Sequence, residues 1–189
     1  AFTAEDIYRR ARRVMELAIR HGCTTMRAHV EVDAFVELRG VEALRRLQAE
    51  LAGVLDLRLI AFAQEGIFND GVTQDLLRKA LAMGLETLGG CPYMDGDQRA
   101  HIDWFFDTAQ AMSVPLDFHA DSSDDPAMLT SDYIAEQTIR RGMQGRVTLG
   151  HLCTLDVLEP DHRARVVRDR RKLAGALQPQ LGPLHGPPP

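Results

Sequence analysis

Pro115-Leu116-Asp117-Phe118-His119-Ala120-Asp121-Ser122-Ser123-Asp124-Asp125 is the stretch from which the fold is read. With a period of two, Leu116, Phe118 and Ala120 share one face of a strand, and Asp117, His119 and Asp121 share the other. Two carboxylates and an imidazole in one row are costly to bury unless they pair, hold a cation or face water. The row runs directly into further polar residues, as a strand does when it feeds a loop that carries a site. Alternation is equally the ordinary mark of an edge strand with a solvated polar face, so the rest of the chain must decide.

Upstream, Cys23 to Asp33 alternates in the same way, with Met26, Ala28, Val30 and Val32 on one face and Arg27, His29, Glu31 and Asp33 on the other. Asp56 to Gln64 is a mostly apolar strand, Glu86 to Pro92 a glycine-softened one, and Arg146 to Leu152 a fifth that ends in His151. Between them lie helical patterns. The first, started by Thr3, carries Ile7, Ala11, Val14, Met15, Leu17 and Ala18; the next runs from Val41 to Leu55 with Leu44, Leu47, Leu51 and Val54 as its stripe. Thr73 to Met83, Gln98 to Met112 and Ser131 to Arg141 complete the set, with glycines closing several of them.

The strands start about 30 residues apart, the length of a βα unit with its crossover helix. Parallel crossovers leave two architectures, an open doubly wound sheet or a (β/α) barrel. In an open sheet helices cover both faces and strands are apolar on both sides, whereas a barrel points polar strand-end residues at its axis. The polar rows favour the barrel. The expectation is an α/β fold, an incomplete (β/α) TIM-type barrel of about five parallel strands over residues 1–162. Residues 163–189 turn basic and then Pro/Gly-rich without periodicity, and are expected to form a disordered tail.

Composition limits the function classes. A chain of 189 residues with 45% hydrophobic and 26% charged residues suits one soluble domain. A net charge of -5, with basic residues scattered through helices, argues against nucleic acid as a partner. No apolar run reaches membrane-spanning length, and Ala1-Phe2-Thr3-Ala4-Glu5-Asp6 lacks the features of a signal peptide, so a cytoplasmic location is expected. Cys23, Cys91 and Cys153 are in no CxxC spacing and read as small hydrophobes.

His29, Gln64, His119 and His151 fall near the carboxyl ends of different strands. Histidines brought together by a barrel suit a metal such as zinc or iron, although any one of them also suits a hydrogen-bonding core role. Four runs carry a resemblance: Thr24-Thr25-Met26-Arg27-Ala28-His29-Val30-Glu31-Val32, Ala61-Phe62-Ala63-Gln64-Glu65-Gly66, Asp117-Phe118-His119-Ala120-Asp121, and Gly142-Met143-Gln144-Gly145-Arg146-Val147-Thr148-Leu149-Gly150-His151. In order and spacing they resemble the cytosine deaminase branch of the amidohydrolase superfamily, over the central part of its barrel.

The resemblance implies a metal-dependent hydrolase that deaminates a nitrogen heterocycle of the cytosine, pterin or aminotriazine type. One divalent ion, Fe or Zn, generates hydroxide that attacks the ring carbon bearing the amino group. His119 and His151 fall on metal histidines of the family, and Gln64 on the glutamine that hydrogen-bonds the heterocycle. Arg27 and His29 match motif positions to which the resemblance attaches no role.

Three departures accompany the match. The family's first-strand His-x-His pair is absent from the sequence, and nothing after His151 reads as an apolar strand ending in the metal aspartate. Ser122 stands where the family has the glutamate that shuttles protons, and serine has neither its pKa nor its reach; Asp121 or Asp124 is the nearby alternative. Two other expectations therefore stand beside the enzyme: an inactive fragment or pseudoenzyme of the family, and a metal-free βα protein that binds a small ligand. Unpaired strand edges also lead to an expectation of self-association, a homo-oligomer included.

Overall fold

The computed structural model describes residues 3–164, 166 and 177–179. Helix α1 (Ala4–Arg20) begins where the Thr3 hydroxyl accepts the Asp6 amide at 3.1 Å, with Glu5 and Asp6 in the first turn against the helix dipole. Strand and helix then alternate: β1 (Thr25–Glu31), α2 (Arg39–Glu50), β2 (Asp56–Ala63), α3 (Thr73–Ala82), β3 (Thr87–Gly90), α4 (Gln98–Met112), β4 (Leu116–Ala120), α5 (Ser131–Arg140) and β5 (Val147–His151). Short 3-10 turns at Pro92–Met94, Pro126–Met128 and Cys153–Val157 lie in the loops that follow β3, β4 and β5.

All strand pairs are parallel and the order is sequential from β1 to β5. A doubly wound sheet reverses its strand order at a switch point; here each new strand joins the same edge, which is barrel winding. Curvature follows from one contact. Arg27 on β1 reaches Asp117 on β4 at 2.5 Å, although a flat sheet would hold those strands roughly 14 Å apart at ~4.8 Å per step. The sheet is thus curled into a half-barrel, with the polar row of the opening stretch on its concave side.

Two apolar layers result. Outside, Leu57, Leu59, Leu88, Leu116, Phe118 and Leu149 pack beneath the helices. Inside, Ile60, Phe62 and Cys91 form a smaller cluster with Tyr93 and Met94 against it. The glycines of β3 are required by both layers: a Cβ on Gly89 would meet the Asp117 carbonyl at 2.4 Å and Phe62 at 2.7 Å, and one on Gly90 would meet Phe105 at 2.6 Å.

The structure corrects several expectations. Helix α2 stops at Glu50 rather than Leu55, because Leu51 to Val54 turn away through Gly53 at φ +83°, and Val54 is exposed. On α1, Met15 is buried and Ile7 and Ala11 pack against the core as the stripe suggested, with Tyr8 buried beside them, but Val14 and Leu17 stand 61% and 56% exposed, so the buried face is narrower than the apolar pattern. Of the expected tail, Leu177–Pro179 forms a short sixth strand, β6, paired in parallel with β5, where lack of periodicity had suggested no element. Most of that tail lies outside the described residues. No helix among the described residues is long and apolar enough to cross a membrane.

Candidate metal and substrate site

The concave face gathers its functional side chains at the carboxyl ends of the strands. His119 lies inward on β4, half-buried, one residue before that strand ends. His151 closes β5, and its ring centroid is 4.6 Å from that of His119. Alternation alone does not produce this approach. His151 is in register with Ala120, on the face shared by Val147 and Leu149, so a regular strand would point it outward. Left-handed backbone at His151 (φ 69°) and Leu152 (φ 61°) ends the alternation there. The loop is fastened by Thr154, whose amide donates to the Asp121 carbonyl at 3.0 Å and whose hydroxyl donates to the Ser123 carbonyl at 2.6 Å.

His29 completes a row of rings. Its centroid is 4.6 Å from His119 and 4.7 Å from Phe62, and Phe62 is 4.6 Å from His119. Below them the fully buried Asp117 takes the Arg27 guanidinium at 2.5 Å and faces His29 Nε2 at 3.6 Å. The residues without an assigned role in the sequence therefore have a structural one: Arg27 neutralises the carboxylate beneath the histidines. Burial, with His29 and His151 adding to it, pushes the His119 imidazole down to about 4, so it is neutral at physiological pH.

That donor set fits a divalent cation. Neutral imidazole is a ligand that zinc and iron accept, and ligand atoms of His29, Asp117 and His119 lie within 4.8 Å of one another. His119 belongs both to that group and to the pair with His151. Asp117 already serves Arg27, and the His151 ring brings a further imidazole beside His119.

Across the face, Gln64 follows β2 and is half-buried. The Tyr93 hydroxyl, from the turn after β3, has Gln64, Ser122 and Cys91 as hydrogen-bonding neighbours, and burial pushes its phenol up. Tyr93 thus joins the expected substrate glutamine to the residue at the family's glutamate position. Sequence reasoning passed over it, since one tyrosine in a glycine-rich turn carries no pattern. Ser122 is exposed. Asp121 is buried at φ 54°, and its Oδ1 accepts the Thr130 amide at 2.7 Å, the Thr130 hydroxyl at 3.1 Å and the Ser131 amide at 3.2 Å. Its carboxylate caps the start of α5.

No protein-family model matches the chain. It is 31% identical over 151 residues to the N-isopropylammelide isopropyl amidohydrolase of Pseudomonas sp. strain ADP, an alignment covering 79% of this chain and 38% of that protein. The pterin deaminase of Rhizobium rhizogenes is 28% identical over 155 residues, 82% of this chain and 35% of the relative. Among solved structures, 5-methylcytosine deaminase from Klebsiella pneumoniae liganded with phosphonocytosine superimposes with a TM-score of 0.86 at 29% identity, over 93% of this chain and 43% of that one. The chain therefore spans less than half the length of the relatives it matches. With these neighbours in both sequence and fold, the chain belongs to the cytosine deaminase-like branch of the amidohydrolase superfamily.

Proposed function

We propose that this chain supplies the metal histidines and the heterocycle-binding side of a metal-dependent amidohydrolase that hydrolytically deaminates a cytosine-, pterin- or aminotriazine-type ring. The observation that carries the reading is the approach of His119 and His151 at 4.6 Å, with a neutral His119 between His29 and His151. His119 and His151 would hold one divalent ion, Fe or Zn. Such an ion supplies Lewis-acid activation of water.

The remaining work belongs to the chain. The Gln64 amide offers both a donor and an acceptor, which matches a ring that alternates amine and carbonyl or ring nitrogen. Tyr93 orients that amide through its hydroxyl and leaves its ring against the Ile60, Phe62 and Cys91 cluster, which excludes water from one side. Three free cysteines and no disulfide among the described residues suit a reducing compartment, so we place the protein in the cytoplasm. Association of copies through exposed apolar residues such as Val14 and Leu17 belongs to the same reading.

A specific observation favours a second reading, in which the chain alone binds but does not turn over. Ser122 offers no proton-shuttling carboxylate, and the Asp121 carboxylate is engaged as a helix cap. The test measures heterocycle binding and ammonia release from cytosine, isocytosine, pterin and aminotriazine with Zn²⁺, Fe²⁺ or Mn²⁺, in parallel with Ser122→Glu. Binding of one ring class, weakened by Gln64→Ala, is the expected result. Failure to bind any of the four would overturn the first reading, and metal-dependent turnover by the unaltered chain would overturn the second.

A further inference from the structure

We propose that Asp95 and His101 are positioning residues for Gln64, fixing the loop after β2 so that its amide is presented to the heterocycle. The inference rests on the reading of Gln64 as a substrate-binding residue. Asp95 follows the Pro92–Met94 turn and is 4% exposed; His101, in the first turn of α4, is fully buried. The Asp95 carboxylate accepts the Ile67 amide at 2.9 Å through Oδ2, the Phe68 amide at 3.0 Å through Oδ1, and a hydrogen bond from His101 Nδ1 at 2.5 Å. Two of its three donors are backbone groups three and four residues after Gln64.

The loop is shaped around this carboxylate. Gly66 lies at φ +86°, and a Cβ there would stand 2.6 Å from Asp95 Oδ1, so only glycine lets the backbone close over it. Asn69 seals the turn by donating to the Glu65 carbonyl at 2.7 Å and the Met94 carbonyl at 3.1 Å. Tyr93, two residues before Asp95, has the Gln64 side chain among the polar neighbours of its hydroxyl. One short turn therefore holds the backbone that follows Gln64 and lies beside its side chain.

His101 holds the carboxylate in turn. Its ring stacks on Phe105 at 4.5 Å and 14°, and its Nε2 has no partner among the described residues, so its polar tie is the Nδ1–H donated to Asp95. Burial pushes His101 down, only partly offset by Asp95, and the imidazole stays neutral. Burial would raise the Asp95 carboxyl, but His101 and the amides of Ile67 and Phe68 outweigh it and keep it ionised. An apolar pair would fill the same space without desolvating a charge. What the buried carboxylate, held by a neutral imidazole, adds is a fixed direction for two loop amides.

The experiment compares wild type with His101→Ala and His101→Asn, since an asparagine amide reproduces the Nδ1–H donor. Amide hydrogen exchange at Ile67 and Phe68 should rise about tenfold in His101→Ala, the effect of weakening one charge-assisted network, and return toward wild type in His101→Asn. Exchange in β4 should not move, which shows that the variants fold. Equilibrium binding of cytosine, pterin and aminotriazine should weaken about tenfold in His101→Ala and recover in His101→Asn, with Zn²⁺ affinity unaltered. Unchanged loop exchange overturns the proposal. So does a loosened loop with unchanged heterocycle affinity. A wild type that binds no heterocycle overturns the reading of Gln64 instead, and loop exchange then still decides whether Asp95 and His101 fix the loop.

Discussion

Replacing Arg27 by methionine removes the cation that lies 2.5 Å from a carboxylate with no solvent exposure. Two limits bracket the cost. Breaking a fully buried ion pair by deleting one partner costs about 3–5 kcal/mol, because a charge is left desolvated, whereas an exposed pair is worth about 0.2–1 kcal/mol. Asp117 lies at the first limit, but the Arg27 side chain is 39% exposed, so water can follow its departure. His29 Nε2, 3.6 Å from the same carboxylate, remains beside it as a partial replacement. An intermediate loss of about 2–3 kcal/mol follows, a large share of the ~5–15 kcal/mol margin of a domain. Urea unfolding of wild type, Arg27→Met, Asp117→Asn and the double variant measures it. Asp117→Asn removes the charge that needed compensation, so the double variant should be more stable than Arg27→Met alone. A loss below about 1 kcal/mol in Arg27→Met, or strict additivity in the double variant, would refute the claim that Arg27 exists to neutralise Asp117.

Gly89→Ala should destabilise by at least about 1–3 kcal/mol, read from the same urea curves, because its Cβ would meet the Asp117 backbone at 2.4 Å as well as Phe62. Asp121→Ala should cost about 1–2 kcal/mol in thermal unfolding through loss of the α5 cap while leaving Zn²⁺ affinity intact; a selective loss of metal affinity would show that the carboxylate serves the site. In metal-free protein the His119 ring should titrate by NMR near 4 and not near its ordinary value of about 6.5. Its folded value lies below the unfolded one, so the unfolded chain binds more protons between those limits. The contribution is fully present above about pH 6.5 and is lost as pH falls toward 4; a midpoint near 6.5 would contradict the burial argument.

Much of the architecture is legible because it is local. Period-two alternation identified β1 and β4, apolar runs identified β2, and the start of α4 and its end at Met112 follow from Asp97 capping and left-handed Ser113. Barrel winding followed from polar rows that a doubly covered sheet would not tolerate. The site was legible in its residues but less so in its geometry. His119 and His151 meet as expected, yet the backbone turn that directs His151 inward has no pattern in the sequence, since Leu152 is an unusual residue at positive φ. Asp121 belongs by alternation to the polar row of Asp117 and His119, but the helix that begins at Ser131 uses its carboxylate. Asp95, His101 and Tyr93 were not legible at all. Their partners lie in other loops, and a single aspartate, histidine or tyrosine gains meaning only when the curl of the sheet brings those loops together.

Metal stoichiometry decides whether His119 and His151 form one cation site. Chelator-treated protein is dialysed against Zn²⁺ or Fe²⁺ and bound metal is counted by mass spectrometry for wild type, His119→Ala, His151→Ala and His101→Asn. Saturable binding of about one ion per chain is expected, weak because two protein ligands stand where three are usual, lost in either of the first two variants and kept in the third. Metal binding that survives both His119→Ala and His151→Ala, or no saturable binding by the wild type, would contradict it.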